Sequence, residues 1–296
     1  MNKEILVVGS INVDTTIYLD RFPKEGETIN ASYKSVAAGG KGSNQAFAAK
    51  RSGANVHFLT ALGKDQEGDF LLPILQKEGL DQNVVFCDLP TGNATILVNQ
   101  AGQNEIMIME GANGFISPAV IEEKRELFEK AQFIVLQNEI SMATNEYILK
   151  RYGDSKTILY NPAPAKKISQ EALRKAAYLI PNETELALLT GTSNIEEGAR
   201  YLLSLGVKNV LVTVGSQGSY LFNSKGQHHC APHLVKAIDT VAAGDTYLGY
   251  FVGSLAQGLS SEKAMETASK ASAIAVTKKG ALPSIPTKEE VQAAHI

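Results

Sequence analysis

A repeated alternation of short apolar runs with longer helical patterns constrains the fold of this chain more than any other feature. The runs are ILVVG (5–9), VHFLTALG (56–63), FIVLQ (133–137), TILY (157–160), AAYLIP (176–181) and NVLVTVG (209–215). Continuous apolar runs are typical of parallel strands buried on both faces. The sequence therefore predicts one α/β domain over residues 1–296, a doubly wound, mostly parallel sheet with helices on both faces.

Two segments interrupt this alternation. Residues 15–37 and 91–111 alternate apolar and polar side chains and carry glycine at the turns, which is typical of hairpin strands. We expect these insertions to form a small sheet over the carboxyl ends of the main strands. Ligands bind at that edge in open α/β folds.

The charge and cysteine content exclude several classes of protein. The net charge is −3 and no dense basic block occurs, so neither nucleic acid nor an anionic membrane is an expected partner. The apolar run near the start is too short for a signal segment or a membrane span. With only two cysteines, Cys87 and Cys230, the expected location is the cytoplasm.

The sequence DTVAAGDT (239–246) predicts an anion site next to a carboxylate. It precedes an apolar helical pattern, and the free N–H groups at a helix start attract anions such as phosphate. The small residues Ala242, Ala243 and Gly244 leave room for one. Asp245 would lie beside it as a general base for a hydroxyl nucleophile. The alternative is an ordinary helix-capping aspartate.

A second glycine-rich run, AGGKGSN (38–44), precedes a helical pattern over 44–53. It lacks the spacing of a P-loop, and no GxGxxG follows the first strand, so neither a Walker-type ATPase nor a dinucleotide dehydrogenase is supported. The three glycines around Lys41 allow the backbone to approach a polar ligand closely. A tight turn before a helix is the alternative.

Further polar residues follow strand ends. Asn12 and Asp14 come directly after the first strand, where they could bind sugar hydroxyls or form an Asx turn. Asn182 and Glu185 have the spacing of a capped helix start. A histidine and cysteine group fits no common zinc pattern, so we interpret its members as exposed strand residues: His228, His229, Cys230 and His233.

Several of these motifs together resemble the ribokinase-like, or PfkB, family of carbohydrate kinases. The two signatures are GGKGSN and DTVAAGDT. The further matches, in the family order, are GSINVD (9–14), NPAPA (161–165), PNETE (181–185), TVGSQG (213–218) and AVTKKGALPS (275–284). The sequence departs from the common family pattern after GDT, where Tyr247 and Leu248 replace Phe-Asn.

The resemblance implies an ATP-dependent sugar kinase that converts D-ribose to D-ribose 5-phosphate. Asp245 would accept the proton of the 5-hydroxyl, and the amides of Ala242 to Asp245 would stabilise the transferring phosphoryl group. A deoxyribose or nucleoside kinase is the alternative within the family. A catalytically silent sugar-binding regulator is a further alternative, which the intact Asp245, Asn182 and Glu185 oppose.

The resemblance also assigns ligands residue by residue. The sugar pocket would be lined by Asn12, Asp14, Gly40, Lys41, Asn44, Glu139 and Asp245. ATP and Mg²⁺ would be bound by Asn182, Glu185, Thr213, Val214, Gly215, Ser216, Gln217, Gly218, Gly244 and Ser269. K⁺ would be bound, chiefly by backbone carbonyls, at Asp239, Val241, Ala275, Lys278, Gly280 and Ser284. In the family the small sheet is a lid over the sugar, and it often makes a homodimer contact.

Overall fold

A computed structural model describes residues 3–296 of the chain. The strands in this range are β1 (Glu4–Val8), β2 (Asn12–Tyr18), β3 (Tyr33–Gly39), β4 (Asn55–Gly63), β5 (Val84–Cys87), β6 (Asn93–Val98), β7 (Asn104–Met109), β8 (Phe133–Leu136), β9 (Thr157–Tyr160), β10 (Tyr178–Leu179), β11 (Asn209–Thr213), β12 (Ser219–Asn223) and β13 (Gly226–Cys230).

The helices lie between these strands and after them. They are α1 (Lys41–Arg51), α2 (Gln66–Glu78), α3 (Pro118–Glu123), α4 (Arg125–Lys130), α5 (Met142–Tyr152), α6 (Gln170–Leu173), α7 (Glu183–Thr190), α8 (Ile195–Ser204), α9 (Ala243–Ala256), α10 (Ser261–Ala275) and α11 (Lys288–Ala293). Two short 3₁₀ turns cover Gly111–Phe115 and Gly215–Gln217.

The main sheet has nine strands in the order β13-β12-β11-β10-β9-β8-β1-β4-β5. Every pairing from β11 to β5 is parallel, and only β12 and β13 run antiparallel at one edge. The predicted doubly wound, mostly parallel α/β fold is confirmed.

The sheet is covered on both faces because successive residues of its strands point to opposite sides. In β1, Ile5 and Val7 belong to one buried cluster, whereas Leu6 and Val8 belong to the other. Both faces are apolar, so the strand reads as a continuous apolar run. This architecture places the carboxyl ends of the parallel strands along one edge, where the polar residues after each strand collect.

The small sheet has four strands in the order β3-β2-β6-β7. Two antiparallel hairpins form it, and they are joined through a parallel pairing of β2 with β6. In β7 the apolar stretch Ile106–Met109 is exposed, with each side chain more than half accessible. Such an unpartnered apolar edge strand is unusual on a monomer surface.

Helix α1 differs from its predicted extent. It begins at Lys41, not at residue 44, so the glycine-rich run itself provides the first helical turn. Gly40 is the N-cap residue with φ of 96°, a left-handed conformation that favours glycine. Within residues 3–296, no helix combines the length and apolar character needed to span a membrane.

Candidate active site

The first turn of α9 presents free backbone amides. Ala242, the N-cap, adopts a left-handed conformation with φ of 59°, and its carbonyl accepts a hydrogen bond from the Thr246 amide at 2.8 Å. The amides of Gly244 and Asp245 find no acceptor among the described residues. Gly244 is exposed, and a Cβ there would meet nothing within 4 Å. The helix start is therefore open to an anion.

Close packing of α9 on α1 brings the two glycine-rich motifs together. A Cβ at Gly249 would overlap the Cβ of Ala48, and a Cβ at Gly253 would overlap the Ser52 hydroxyl. The two helices can approach this closely only because α9 carries glycine at both contacts. As a result, the start of α1 lies against the start of α9.

The Asp245 carboxylate, 7% exposed, is held at both oxygens by side chains of α1. Asn44 Nδ2 donates to Oδ2 at 3.0 Å, and Gln45 Nε2 donates to Oδ1 at 2.8 Å. Asn44 is one of the residues predicted for the sugar pocket, whereas no sequence pattern indicates a role for Gln45. The Oδ1 atom of Asn44 is buried without a hydrogen-bond partner in the described chain.

Glu139 is tied to the same helix start. Its Oε2 accepts hydrogen bonds from the Ser10 hydroxyl at 2.6 Å and from the Lys41 amide at 2.9 Å. Burial acts to lower the pKa of the Lys41 ammonium, but the charges of Asp245, Glu139 and Glu185 outweigh it and raise the pKa. The Lys41 cation is therefore kept charged among carboxylates.

Asp14 lies near the carboxylates of Glu139 and Asp245, and few hydrogen bonds stabilise its own negative charge. Burial, followed by the charges of Glu139 and Asp245, raises the pKa of Asp14 to about 7. Its Oδ1 is buried with no partner among the described residues. A Cβ at Gly39 would overlap this carboxylate, so glycine is required at that position. A hydroxyl-bearing ligand would supply the missing hydrogen bonds.

Asn12 is oriented by a residue that the sequence did not single out. Asn113 Nδ2 donates to Asn12 Oδ1 at 2.8 Å, and Asn113 Oδ1 accepts from the Ile11 amide at 3.0 Å. The Asn12 oxygen is thus engaged, and its amide group remains for a ligand. Asn113 follows the predicted hairpin segment 91–111, and no local pattern distinguishes it in the sequence.

Two cavities meet at the start of α9. The first, about 350 Å³, contains the predicted nucleotide residues Thr213, Gly215, Ser216, Gly218, Gly244 and Ser269. The second, about 200 Å³, is lined by Lys41, Asn161, Asn182, Glu185, Ala242 to Asp245 and Leu248. Thr213, Thr240, Ala243 and Gly244 line both cavities. Val214 and Gln217 line neither.

Asn182 and Glu185 form a capping box at the start of α7. Asn182 Oδ1 accepts from the Glu185 amide at 2.8 Å, and Glu185 Oε2 accepts from the Asn182 amide at 3.0 Å. Burial raises the pKa of Glu185. The capped helix start predicted from the sequence is present, and both residues also line the second cavity. Their oxygens are the kind of ligand that Mg²⁺ prefers.

The residues assigned to K⁺ lie on two loops that Asp239 joins. Its carboxylate accepts hydrogen bonds from the Val241 amide at 3.0 Å and from the Gly280 amide at 2.9 Å. No hydrogen-bond donor within residues 3–296 reaches the carbonyls of Asp239, Val241, Lys278 or Gly280. The Ala275 carbonyl, in contrast, accepts a hydrogen bond from the Lys278 amide at 3.0 Å. Ser284 is fully buried. Free carbonyls on joined loops suit a monovalent cation.

The histidine and cysteine group lies in β13 and just after it. Across the described part of the chain, no group of three or more His, Cys, Asp or Glu side chains could hold a metal ion. His228 and His229 lie in β13 as predicted, and His229 is exposed. Cys230 differs from the prediction because it is buried, and His233 differs because it lies after the end of β13.

Comparison with known proteins places this geometry in a family. The family model described as pfkB family carbohydrate kinase matches residues 2–288. A ribokinase from Staphylococcus aureus is 36% identical, with 98% of this chain and 99% of that protein covered. A deoxyribokinase from Salmonella typhimurium is also 36% identical, with 97% of each covered.

A solved structure agrees with the sequence comparisons. The structure of ribokinase from Arabidopsis thaliana complexed with ribose and ATP superposes with a TM-score of 0.92 at 33% identity, covering 99% of this chain and 98% of that one. Both the fold and the sequence are therefore shared along nearly the whole length. The chain belongs to the pfkB family of carbohydrate kinases.

Proposed function

We propose that this protein is an ATP-dependent kinase that converts D-ribose to D-ribose 5-phosphate. One observation carries the proposal: the buried Asp245 carboxylate lies beside the free amides of Gly244 and Asp245, where two cavities meet. A base next to an anion site suits transfer of a phosphoryl group to an alcohol. The similarity to ribokinases over nearly the whole chain supports the same conclusion.

In the reaction, the carboxylate of Asp245 takes the proton of the sugar 5-hydroxyl. The hydroxyl oxygen forms a bond to the γ-phosphorus of ATP while the bond from that phosphorus to the bridging oxygen breaks. ADP leaves with the electron pair. The amides of Gly244 and Asp245 stabilise charge on the transferring group, so positioning and electrostatics provide most of the catalysis.

The two substrates would meet at the start of α9, beside Asp245. ATP would occupy the first cavity, between the Gly215–Gln217 turn and Ser269, with its phosphates at the start of α9. The sugar would lie against Asp14, Asn12, Asn44 and Glu139. The unpartnered oxygens of Asp14 and Asn44 and the free amide group of Asn12 suit hydroxyl groups. Gly40 and Lys41 would complete the pocket through the start of α1.

Two cations would assist. Mg²⁺ would be held near Asn182 and Glu185, mostly through water, and would neutralise charge on the phosphates. K⁺ would be held by the carbonyls around Asp239 and Gly280 and would keep the loop before α9 in place. The oxygen donors of both sites fit these ions.

The small sheet would act as a lid and as a dimer contact. Its strand β2 carries Asn12 and Asp14, and Asn12 lies opposite Gly39 of β3. Closure of the sheet would cover the sugar and exclude water. The exposed apolar stretch Ile106–Met109 would be buried against a second copy of the chain. A cytoplasmic location remains a prediction.

A deoxyribose kinase is the second candidate, because the Salmonella deoxyribokinase is as similar as the ribokinase from Staphylococcus. A site that reads the 2-hydroxyl would leave a buried polar group unpaired with 2-deoxyribose, at about 1–3 kcal/mol. This corresponds to roughly five- to 150-fold in kcat/KM.

A screen of ADP release decides between these candidates. The purified protein is assayed with D-ribose, 2-deoxyribose, fructose and nucleosides, in K⁺ buffer and in Na⁺ buffer. We expect ribose to be preferred, and Na⁺ to lower turnover on every accepted sugar by a similar factor. Equal or better activity on 2-deoxyribose would overturn the ribose assignment, and full activity without K⁺ would remove the cation site.

A further inference from the structure

Two side-chain amides, Gln45 and Asn161, form a hydrogen-bond chain that ends on Asp245. Gln45, only 1% exposed, uses one nitrogen for two hydrogen bonds, to Asp245 Oδ1 at 2.8 Å and to Asn161 Oδ1 at 3.1 Å. Asn161 Nδ2 in turn donates to the Ile180 carbonyl at 2.8 Å. Asn161 lines the second cavity beside Asp245.

The donor and acceptor roles in this hydrogen-bond chain are fixed by the groups at its two ends. The Ile180 carbonyl can only accept, so Asn161 must turn its nitrogen towards it and its oxygen towards Gln45. Gln45 must then present its nitrogen to both acceptors. The opposite orientation would set its oxygen against the Asp245 carboxylate and the Asn161 oxygen.

This orientation has a cost that the contact with Asp245 must offset. Gln45 Oε1 is buried without a hydrogen-bond partner among residues 3–296, and a buried unpaired acceptor is destabilising. The amide is kept in this state because its nitrogen makes a charge-assisted bond to the carboxylate. Both hydrogens of Gln45 Nε2 are thereby committed to fixed acceptors.

We propose that Gln45 is a positioning residue for phosphoryl transfer. It fixes Oδ1 of Asp245, with Asn161 fixing Gln45, so that the carboxylate meets the sugar hydroxyl in one orientation. This inference rests on the proposed kinase function. Asn44 holds the other oxygen, Oδ2, and is also assigned to the proposed sugar pocket. Gln45 therefore acts on the base without binding substrate.

Other charges act on Asp245 from the surrounding elements. Lys41 comes from the start of α1, Asp14 from β2 and Glu185 from α7. None of them is in the amide chain. A substitution at Gln45 leaves these charges in place, so its effect reports the lost hydrogen bond.

Gln45→Met tests the proposal, because methionine has similar length but no hydrogen-bonding amide. We expect kcat to fall by about 10- to 100-fold, the loss of one hydrogen bond to a charged group. KM for ribose should change little, since Asn44, Asp14 and Glu139 remain. A hydrogen-bond donor favours the ionised form of a carboxylate, so the loss of kcat should be larger at lower pH.

Gln45→Glu gives an opposite pH signature. When the new carboxyl is protonated, its hydroxyl can donate to Asp245 in place of the amide. When the pH is high enough to ionise the new carboxyl, it repels the Asp245 carboxylate. The deficit in kcat relative to the parent should therefore grow as the pH rises, a dependence that a packing defect would not produce.

The matched control is Gln257→Met, at the far end of the same helix pair. Gln257 Nε2 donates to the carbonyls of Ser52 and Gly253, so it also links α1 with α9. We expect parental kcat from this variant. Two outcomes with an active parent would overturn the inference. One is a kcat of Gln45→Met within about threefold of the parental value, and the other is an equal loss of kcat in all three variants.

Folding and function are separated in the same experiment. Thermal melts and ribose binding without nucleotide check that each variant is folded. If Gln45→Met does not fold, the pH dependence of Gln45→Glu decides, and a deficit independent of pH contradicts the proposal. A parent that releases no ADP with ribose would instead refute the proposed function.

Discussion

Asp14→Asn should stabilise the ligand-free protein increasingly as the pH rises. Burial and the charges of Glu139 and Asp245 place the folded-state pKa of Asp14 at about 7, above the value near 3.9 of an unfolded chain. Between these two values the folded protein holds a proton that the unfolded chain has lost. Stability from this group therefore falls as the pH rises through this window.

The size of this stability change follows from the pH range between the unfolded and folded pKa values of Asp14. From pH 5 to about pH 7, where the folded group titrates, the parent loses about 1.36 kcal/mol per pH unit from Asp14 alone, or about 3 kcal/mol. An asparagine side chain does not titrate in this pH range, so the variant does not lose this stability. Its stability relative to the parent should rise by about 3 kcal/mol between pH 5 and pH 8.

Urea denaturation of the parent and the variant at both pH values, without sugar or nucleotide, measures this difference. Asp65→Asn is the control. Burial acts to raise the pKa of Asp65, but hydrogen bonds from Thr91 and Gly68 outweigh it and lower the pKa. Asp65→Asn should therefore be destabilising by the same amount at pH 5 and pH 8. An equally flat response from Asp14→Asn would refute the electrostatic account of the sugar site.

Three further predictions concern catalysis, the lid and the dimer. Asp245→Asn should keep the fold and ribose binding but lower kcat by roughly 10²–10⁴, and near-parental turnover would show that another group is the base. Ribose should slow hydrogen exchange in residues 15–37 and 91–111, whereas protection confined to the main sheet would contradict the lid. Ile108→Glu should convert the proposed dimer to a monomer in sedimentation, and an unchanged mass would place any dimer contact elsewhere.

The main sheet was predictable because its signal is local. The runs ILVVG and FIVLQ are apolar throughout, and a strand buried on both faces requires this. Helix α1 was predicted to begin three residues late. Its first turn consists of Lys41-Gly-Ser, and glycine is a poor helix former, so the local preference opposes the observed start.

The site was only partly predictable, for a different reason. The free amides at Gly244 and Asp245 follow from a local pattern of small residues before a helix. The contacts of Gln45 with Asp245 and of Asn113 with Asn12 join residues about 200 and 101 positions apart. No spacing in the sequence encodes such contacts. The first depends on how closely α9 packs on α1, and the second on how the Gly111–Phe115 turn lies against β2.

The parallel pairing of β2 with β6 has a consequence for how the protein folds. Thr15 lies opposite Thr95, so the two hairpins of the small sheet meet across some eighty residues of intervening chain. Loop closure over that distance is entropically unfavourable until the intervening β4 and α2 have docked, and such non-local pairings form slowly. We therefore expect the sugar pocket to assemble last, after the nine-stranded core. A newly made chain would reach near-native secondary structure before it gained any affinity for its sugar.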